Sequence, residues 1–473
     1  MSQSLLQKEL DEMMGHGFVP ESAMMQLPQE QLIKIFFKAI VLNKVAIVDR
    51  FIEEKIDLNE IHENATPLLV AANQANLSIL KKLIAAGADV HLQNALGCSA
   101  LHALASAPQH MNPLVVKEAG NFLMEQGLSP MLPDKQNQST PLHMAITFRW
   151  IDFAESMIDK CPEGIHLPDG KGFTALHSCI YYQTDRLLKK ILSHKPVMNA
   201  SDMYGNTPLH LAALKDATNV AQELVKHDAQ MDAANREMKT PLFCAVELGN
   251  VNMAKWLVTN GADVNAVSSN GMTPLMVAVF FKQEELVSYL VKQGADIGKI
   301  DALGHTLLHY ASGICAPQVQ EKPPLETFAL WLLDCGLNPL TKSHQGDLPL
   351  HPAARHSPTL VQKYLEAGSD PSAVGIQGMT PLHFAAASGC KETAEILLKA
   401  GASTSVENHL NISPLQYACS NGYKEVVEVM LDYPCELNPK DDAQVSPLKE
   451  AVKHGWTDLA EKMNELGAKA PAP

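Results

Sequence analysis

Apolar residues arrive along this chain in paired blocks. The first block sits in phrases such as NTPLHLAAL (206–214). The second is an apolar pair further on, Leu83-Ile84, Leu257-Val258 or Leu397-Leu398, closed by Gly-Ala. Polar residues separate the blocks, so each unit predicts two short amphipathic helices. The punctuation agrees. Thr ahead of Pro-Leu is an N-cap whose oxygen can take a first-turn N–H. Pro then fits the first helical position, where no donor is missed. Gly389 or Gly422 ends the first helix of its unit. The later Gly of Gly87-Ala88-Asp89-Val90 or Gly261-Ala262-Asp263-Val264-Asn265 ends the second in a left-handed conformation. A tight turn such as Asp202-Met203-Tyr204-Gly205 leads into the next cap.

The Thr slot recurs at Thr66, Ser99, Thr140, Thr174, Thr207, Thr240, Thr273, Thr306, Leu348, Thr380, Ser413 and Ser446. Successive intervals are 33, 41, 34, 33, 33, 33, 33, 42, 32, 33 and 33 residues. Repetition at one fixed period is the signature of a stacked array. The period, T-P-L-H-x-A and G-A-D-V-N together resemble the ankyrin repeat across roughly residues 36–470. The resemblance implies an all-α solenoid of stacked helix pairs with projecting β-turn fingers. Its inner helices and finger tips would form a concave face.

Seven tetrads keep His: His102, His143, His177, His210, His309, His351 and His383. Elsewhere the slot holds Leu69, Phe243, Met276, Gln416 or Lys449, residues too different to share a catalytic or ligand role. Imidazoles a whole repeat apart are also too distant to meet one metal ion at about 2 Å. The family resemblance gives the His a structural part, bonded to Thr and to backbone between stacked units.

Residues 36–65 fit a first unit without its Thr-Pro, with Ala39 in the Ala slot and Phe51-Ile52 in the second helix; 1–35 is expected to be a helical extension or cap. DLAEKMNELGAKA (458–470) is a charged last helix able to face water, as a capping repeat requires. The long intervals place insertions near 106–113 and 313–324, both Pro-rich and expected as loops between the helices of their units. The second-helix Gly is missing at Cys161-Pro162, Lys195-Pro196 and Asp228, where local bending is expected. The run Leu27 to Phe36 resembles the opening of an F-box, L-P-x-E-x-L-x-x-I-F, which would make residues 27–40 a ubiquitin-ligase adaptor site. The downstream Trp of that module is absent, and a capping helix is the default reading.

Composition narrows the function. Lys and Arg number 37 against 52 Asp and Glu, a net charge of −15 that argues against a phosphate-tracking surface and hence against nucleic acid. The amino-terminal residues lack the basic and apolar regions of a secretory signal. No apolar stretch reaches the roughly 20 residues of a membrane span. Nine scattered cysteines without a C-x-x-C pair suggest neither disulfides nor zinc but reduced thiols, and a cytoplasmic setting. Cys179, Cys244 and Cys419 fall in the helical register of small core residues of other copies, as packing residues would. No phosphate loop, nucleophile elbow or zinc-protease motif occurs, so neither an enzyme nor a cofactor is expected.

Binding positions can be taken from the ankyrin resemblance, which implies contacts at finger tips, just before Thr and at the end of the inner helix. Those slots hold Phe148 with Trp150, Phe173 with Tyr181 and Tyr182, Met203, Tyr204 and Leu214, then Met272, Phe280 and Phe281. Aromatics are only 5% of the chain, so their concentration there predicts a partner-binding groove centred on residues 148–281. The expected function is a protein-interaction scaffold or adaptor with a protein partner. Ankyrin chains with degenerate caps and no appended domain also resemble effectors that intracellular bacteria inject into host cells.

Overall fold

The protein was analysed as a computed structural model that describes residues 28–314, 325–438 and 445–468. Leu27, Cys315 and most of the second insertion lie outside the described residues. Helices alternate inner and outer from Gln29–Val41 with Val45–Glu53 to Pro447–Lys453 with Thr457–Glu465. Among the described residues there is no sheet, only isolated bridges such as His62 with Ala65 at the finger turns. The chain divides at Arg236/Glu237 into two compact units.

Helix starts follow the sequence chemistry. Thr66, Thr240 and Thr273 accept the N–H of the third helical residue at 3.3 Å, each followed by Pro. Where that third residue is His, the bonding becomes reciprocal. In the first unit of the chain, the N–H groups of Ser99, Thr140 and Thr174 donate to Nδ1 of His102, His143 and His177 at 3.1–3.3 Å. An Nδ1 that accepts leaves the proton on Nε2. That Nε2–H then donates across to the next repeat, to the carbonyls of Ser139 (3.1 Å), Phe173 (2.8 Å) and Asn206 (3.2 Å). The second unit repeats the device from His309 to Asp347, His351 to Ala373 and His383 to Ile412. Gln416 performs both bonds with an amide, accepting from Ser413 N–H and donating to Val445 O, each at 2.8 Å. Leu348 has no hydroxyl, yet its N–H still reaches His351 Nδ1 at 2.9 Å. The burial of these rings holds the pKa of each well below the ordinary histidine value.

The core is a column of small and branched residues from both helices of each pair, with Leu209, Ala212, Ala213 and Leu224 fully buried in one repeat. Cys179, Cys244 and Cys419 are buried in it, and burial raises each thiol to about 12, so they pack and do not react. Outer helices of neighbouring repeats are joined by ion pairs: Lys82 with Asp49 (2.6 Å) and Arg186 with Asp152 and Glu155 in the first unit, Lys255 with Glu285 and Lys462 with Asp432 in the second. In each pair at least one partner is exposed to solvent, and screening makes each worth about 1 kcal/mol or less. Lys82→Ala should therefore lower stability by at most about 1 kcal/mol, a loss that shrinks with added salt in urea titrations.

Three local features go beyond the sequence reading. The first inner helix begins at Gln29, so positions 35 and 36 lie within one helix and not at a junction. Ile35 and Phe36 of the F-box-like run are fully buried there, with the Phe36 ring 5.0 Å from that of Phe51. Lys195 and Asp228 keep the left-handed conformation without glycine (φ 50° and 65°), whereas after Cys161 a 3-10 helix, Pro162–His166, replaces it.

Candidate functional site

The predicted binding residues fall into one group in each compact unit. In the first, three aromatics meet at the end of the inner helix Ala175–Tyr182. Tyr181 packs edge-on against Phe173 (5.8 Å between ring centres) and Tyr182 (5.1 Å), and the Lys215 ammonium sits 4.2 Å above its ring. Arg149 donates to the Tyr182 carbonyl at 2.7 Å, bringing a second cation alongside. Tyr181 stays 45% exposed, as an anchor for a partner must. Phe148 is exposed at the end of the preceding inner helix, and its carbonyl accepts from Gln109 of the first insertion at 2.6 Å. That loop thus leans on the end of the neighbouring inner helix.

Met203 and Tyr204 stand at a finger tip. The Asp202 carboxylate holds the turn by accepting the N–H groups of Tyr204 and Asn206 at 2.8 Å. Backbone bonds from Met203 N–H to Lys171 O and from Arg236 N–H to Tyr204 O tie this finger to its neighbours within the unit. Gly205 takes φ 81° there, and a Cβ would strike the Arg236 backbone, so only glycine fits. Tyr204 is 61% exposed and Leu214 half-buried.

Trp150 is a correction. It is buried, 3% exposed, and stands at the N-cap of the outer helix Ile151–Lys160, past the end of the inner helix. It belongs to the core and cannot meet a partner.

In the second unit, Met272, Phe280 and Phe281 line a cavity of about 240 Å³ with Phe243, Glu237, Lys239, Glu247 and Ser268. Phe280 lies edge-on to Phe281 (5.2 Å) and to Tyr310 (6.0 Å). Lys239 bonds Glu237 (2.8 Å) and Glu247 (2.9 Å). Burial disfavours its charge, but the two carboxylates outweigh that and raise its pKa. The buried Ser268 hydroxyl has no hydrogen-bond partner among the described residues. Sequence reasoning missed Lys215, Phe243 and Tyr310. Lys215 was findable, since it follows an inner helix in the register of Phe148, Tyr182 and Phe281.

Exposed apolar residues also punctuate the finger turns, among them Leu96 in the first unit and Ile300, Leu303 and Leu410 in the second. No helix among the described residues is long and apolar enough to cross a membrane.

Comparison with known proteins decides the family. A family model described as ankyrin repeats (3 copies) matches residues 68–158, 182–268, 263–316 and 320–408, well over half of the chain. The chain belongs to the ankyrin-repeat family. It is also similar to the human neurogenic locus notch homolog protein 4, 43% identical over 70 residues. That stretch is 14% of this chain and only 4% of the relative, so the likeness is one of repeats. Ankyrin repeats are protein-interaction modules, and a role in protein–protein interaction follows at that level.

Proposed function

We propose that this ankyrin-repeat protein is a scaffold that captures a protein partner on its inner-helix and finger-tip residues. The carrying observation is the Tyr181 cluster, an exposed aromatic flanked by Phe173 and Tyr182 and capped by the Lys215 ammonium at 4.2 Å. Exposed aromatics beside cations are the composition of interface hot spots. A soluble chain gains nothing from leaving such a cluster in water. The Phe280–Phe281 cavity offers a second anchor, suited to an apolar side chain with a polar end that could reach the Ser268 hydroxyl.

Replacing Tyr181, Tyr204 and Phe280 together with Ala tests the reading. Proteins retained by the intact chain should be lost from the triple variant by at least about tenfold, since one central hot-spot residue is worth about 2 kcal/mol or more. Helical circular dichroism should be unchanged, because none of the three is a core residue. Retention by the triple variant at the level of the intact chain would end the assignment.

A further inference from the structure

The second unit leaves an apolar face of its outer helices uncovered. A cleft of about 530 Å³ runs between the outer helices Glu284–Lys292 and Glu326–Asp334. The outer helices on either side are tied to this pair, Lys255 bonding Glu285 at 2.6 Å and the Ser357 hydroxyl donating to Glu326 at 2.7 Å. Among the described residues no ion pair or hydrogen bond spans the cleft itself. Val287 and Val291 form one wall, Phe328 and Trp331 the other. Trp331 is 38% exposed, and its ring lies nearly parallel to that of Phe328, 5.5 Å between centres and 17° between planes. A broad apolar surface of this kind in water marks a contact site.

The helix Glu284–Lys292 indicates what covers it. Its cleft-facing residues are Glu284, Val287, Ser288, Val291 and Lys292, a stripe at i, i+3, i+4, i+7 and i+8. The stripe starts with an acid, ends with a base and carries a small exposed residue, Ser288, at its midpoint. Glu284 and Lys292 are exposed, and neither has an ion-pair partner among the described residues. Turned end for end, such a stripe is complementary to itself.

We propose that this face is a two-fold contact between two copies of the chain. The helix Glu284–Lys292 of each copy enters the cleft of the other in antiparallel sense. Ser288 lies near the axis, and Glu284 stands opposite Lys292 at both ends. A contact that uses one patch twice has to be self-complementary in this way. Ser288 lets the helices approach, because the side chains at a crossing set the distance between axes. Trp331 of each copy then covers the valines of the other. The net charge of −15 opposes self-association, so the apolar centre supplies the attraction and the rim charges set the direction. Two helices about 13 Å long offer a small contact, which makes a reversible micromolar dimer and not an obligate one. The contact uses no residue of the Tyr181 or Phe280 groups and does not rest on the partner reading.

Sedimentation velocity of the full chain across the micromolar range tests the proposal, with reductant present so that the exposed Cys335 forms no covalent link. The mass should rise with concentration from 51.5 kDa toward twice that value. Trp331→Ala should weaken dimerisation at least about thirtyfold, the equivalent of about 2 kcal/mol for an interface anchor. Ser288→Arg should abolish it by blocking the crossing, at a position exposed enough for the fold to accept the change. Lys292→Glu places like charges together at both ends and should weaken the dimer about tenfold, while Glu284→Lys with Lys292→Glu should restore it to within about threefold. Circular dichroism checks that each variant is folded. A mass fixed at 51.5 kDa throughout overturns the proposal. Iodide quenching of the Trp331 emission, read as the difference from Trp331→Ala, then shows what takes the cleft instead: a shielded ring means the chain itself covers it, an open ring leaves it to a different protein. A dimer indifferent to Trp331→Ala and Ser288→Arg also overturns it, since the contact then lies elsewhere. A double charge reversal as weak as Lys292→Glu alone overturns the antiparallel pairing. None of these outcomes depends on whether the triple aromatic variant retains a partner.

Discussion

Acidification from pH 7.5 to 4.5 is expected to strip several kcal/mol of stability from the array. The inter-repeat histidines are neutral when folded, with Nδ1 accepting and Nε2–H donating, and burial lowers their pKa values, to about 4 for His309 and His383. In the unfolded chain the same rings titrate near 6.5. Protons therefore favour the unfolded chain as pH falls below about 6.5. The histidine contribution is complete above that value, declines down to about 4, and is gone below it. The difference amounts to on the order of 3 kcal/mol for each of His309 and His383. His102, His143, His177 and His351 shift in the same direction. Urea midpoints read by circular dichroism across this range would show the slope. The protein supplies its own control in Gln416, which makes the same two bonds without a titrating group. His309→Gln with His383→Gln should leave neutral-pH stability within about 1 kcal/mol, the worth of a typical hydrogen bond, and flatten the acid slope. A flat profile in the unaltered chain, or an undiminished slope in the Gln variant, contradicts the account.

The second large effect concerns Gly120, in the outer helix Pro113–Glu125. Phe153 of the next outer helix is 1% exposed and lies against Gly120 so closely that a Cβ would overlap its ring. Replacing a helical glycine by alanine normally stabilises by about 1 kcal/mol. Here the sign should reverse. Overpacking of a closed core costs about 1–3 kcal/mol, so Gly120→Ala is expected to destabilise and Gly120→Val to do so more strongly. Phe153→Ala alone should cost about 3–5 kcal/mol. In the double variant the clash is absent, so the combined loss should fall short of the sum by more than about 1 kcal/mol. Strict additivity of the two losses would mean that the ring has room to move.

Much of the architecture was legible because local chemistry and period agree. Thr-Pro announces a helix start, a left-handed residue its end, and the His slot was recognisable as structural from the Leu, Phe and Gln that replace it. Trp150 was misread for a reason of register. Counting from Thr140, it stands at the N-cap of its outer helix, a position that Asn76, Asn250 and Tyr423 hold half-buried in their repeats, and not at the end of the inner helix. The candidate sites were less legible. Lys239 and its two carboxylates are close in sequence, but Phe280 and Tyr310 meet only once two repeats are stacked. Which charges converge depends on the rotation between successive repeats, a quantity no single unit encodes.

The crossing bonds of His102, His143, His177, His309, His351 and His383 all end on main-chain oxygens. Such an acceptor exists at every residue, so this joint does not depend on which side chain its neighbour displays. Gene duplication could therefore lengthen or reorder the array while preserving these links, and mutation could then rework the recognition residues one module at a time. The same indifference makes the chain a practical chassis: grafting the Tyr181 repeat into another position would carry its chemistry along without redesigning the seam.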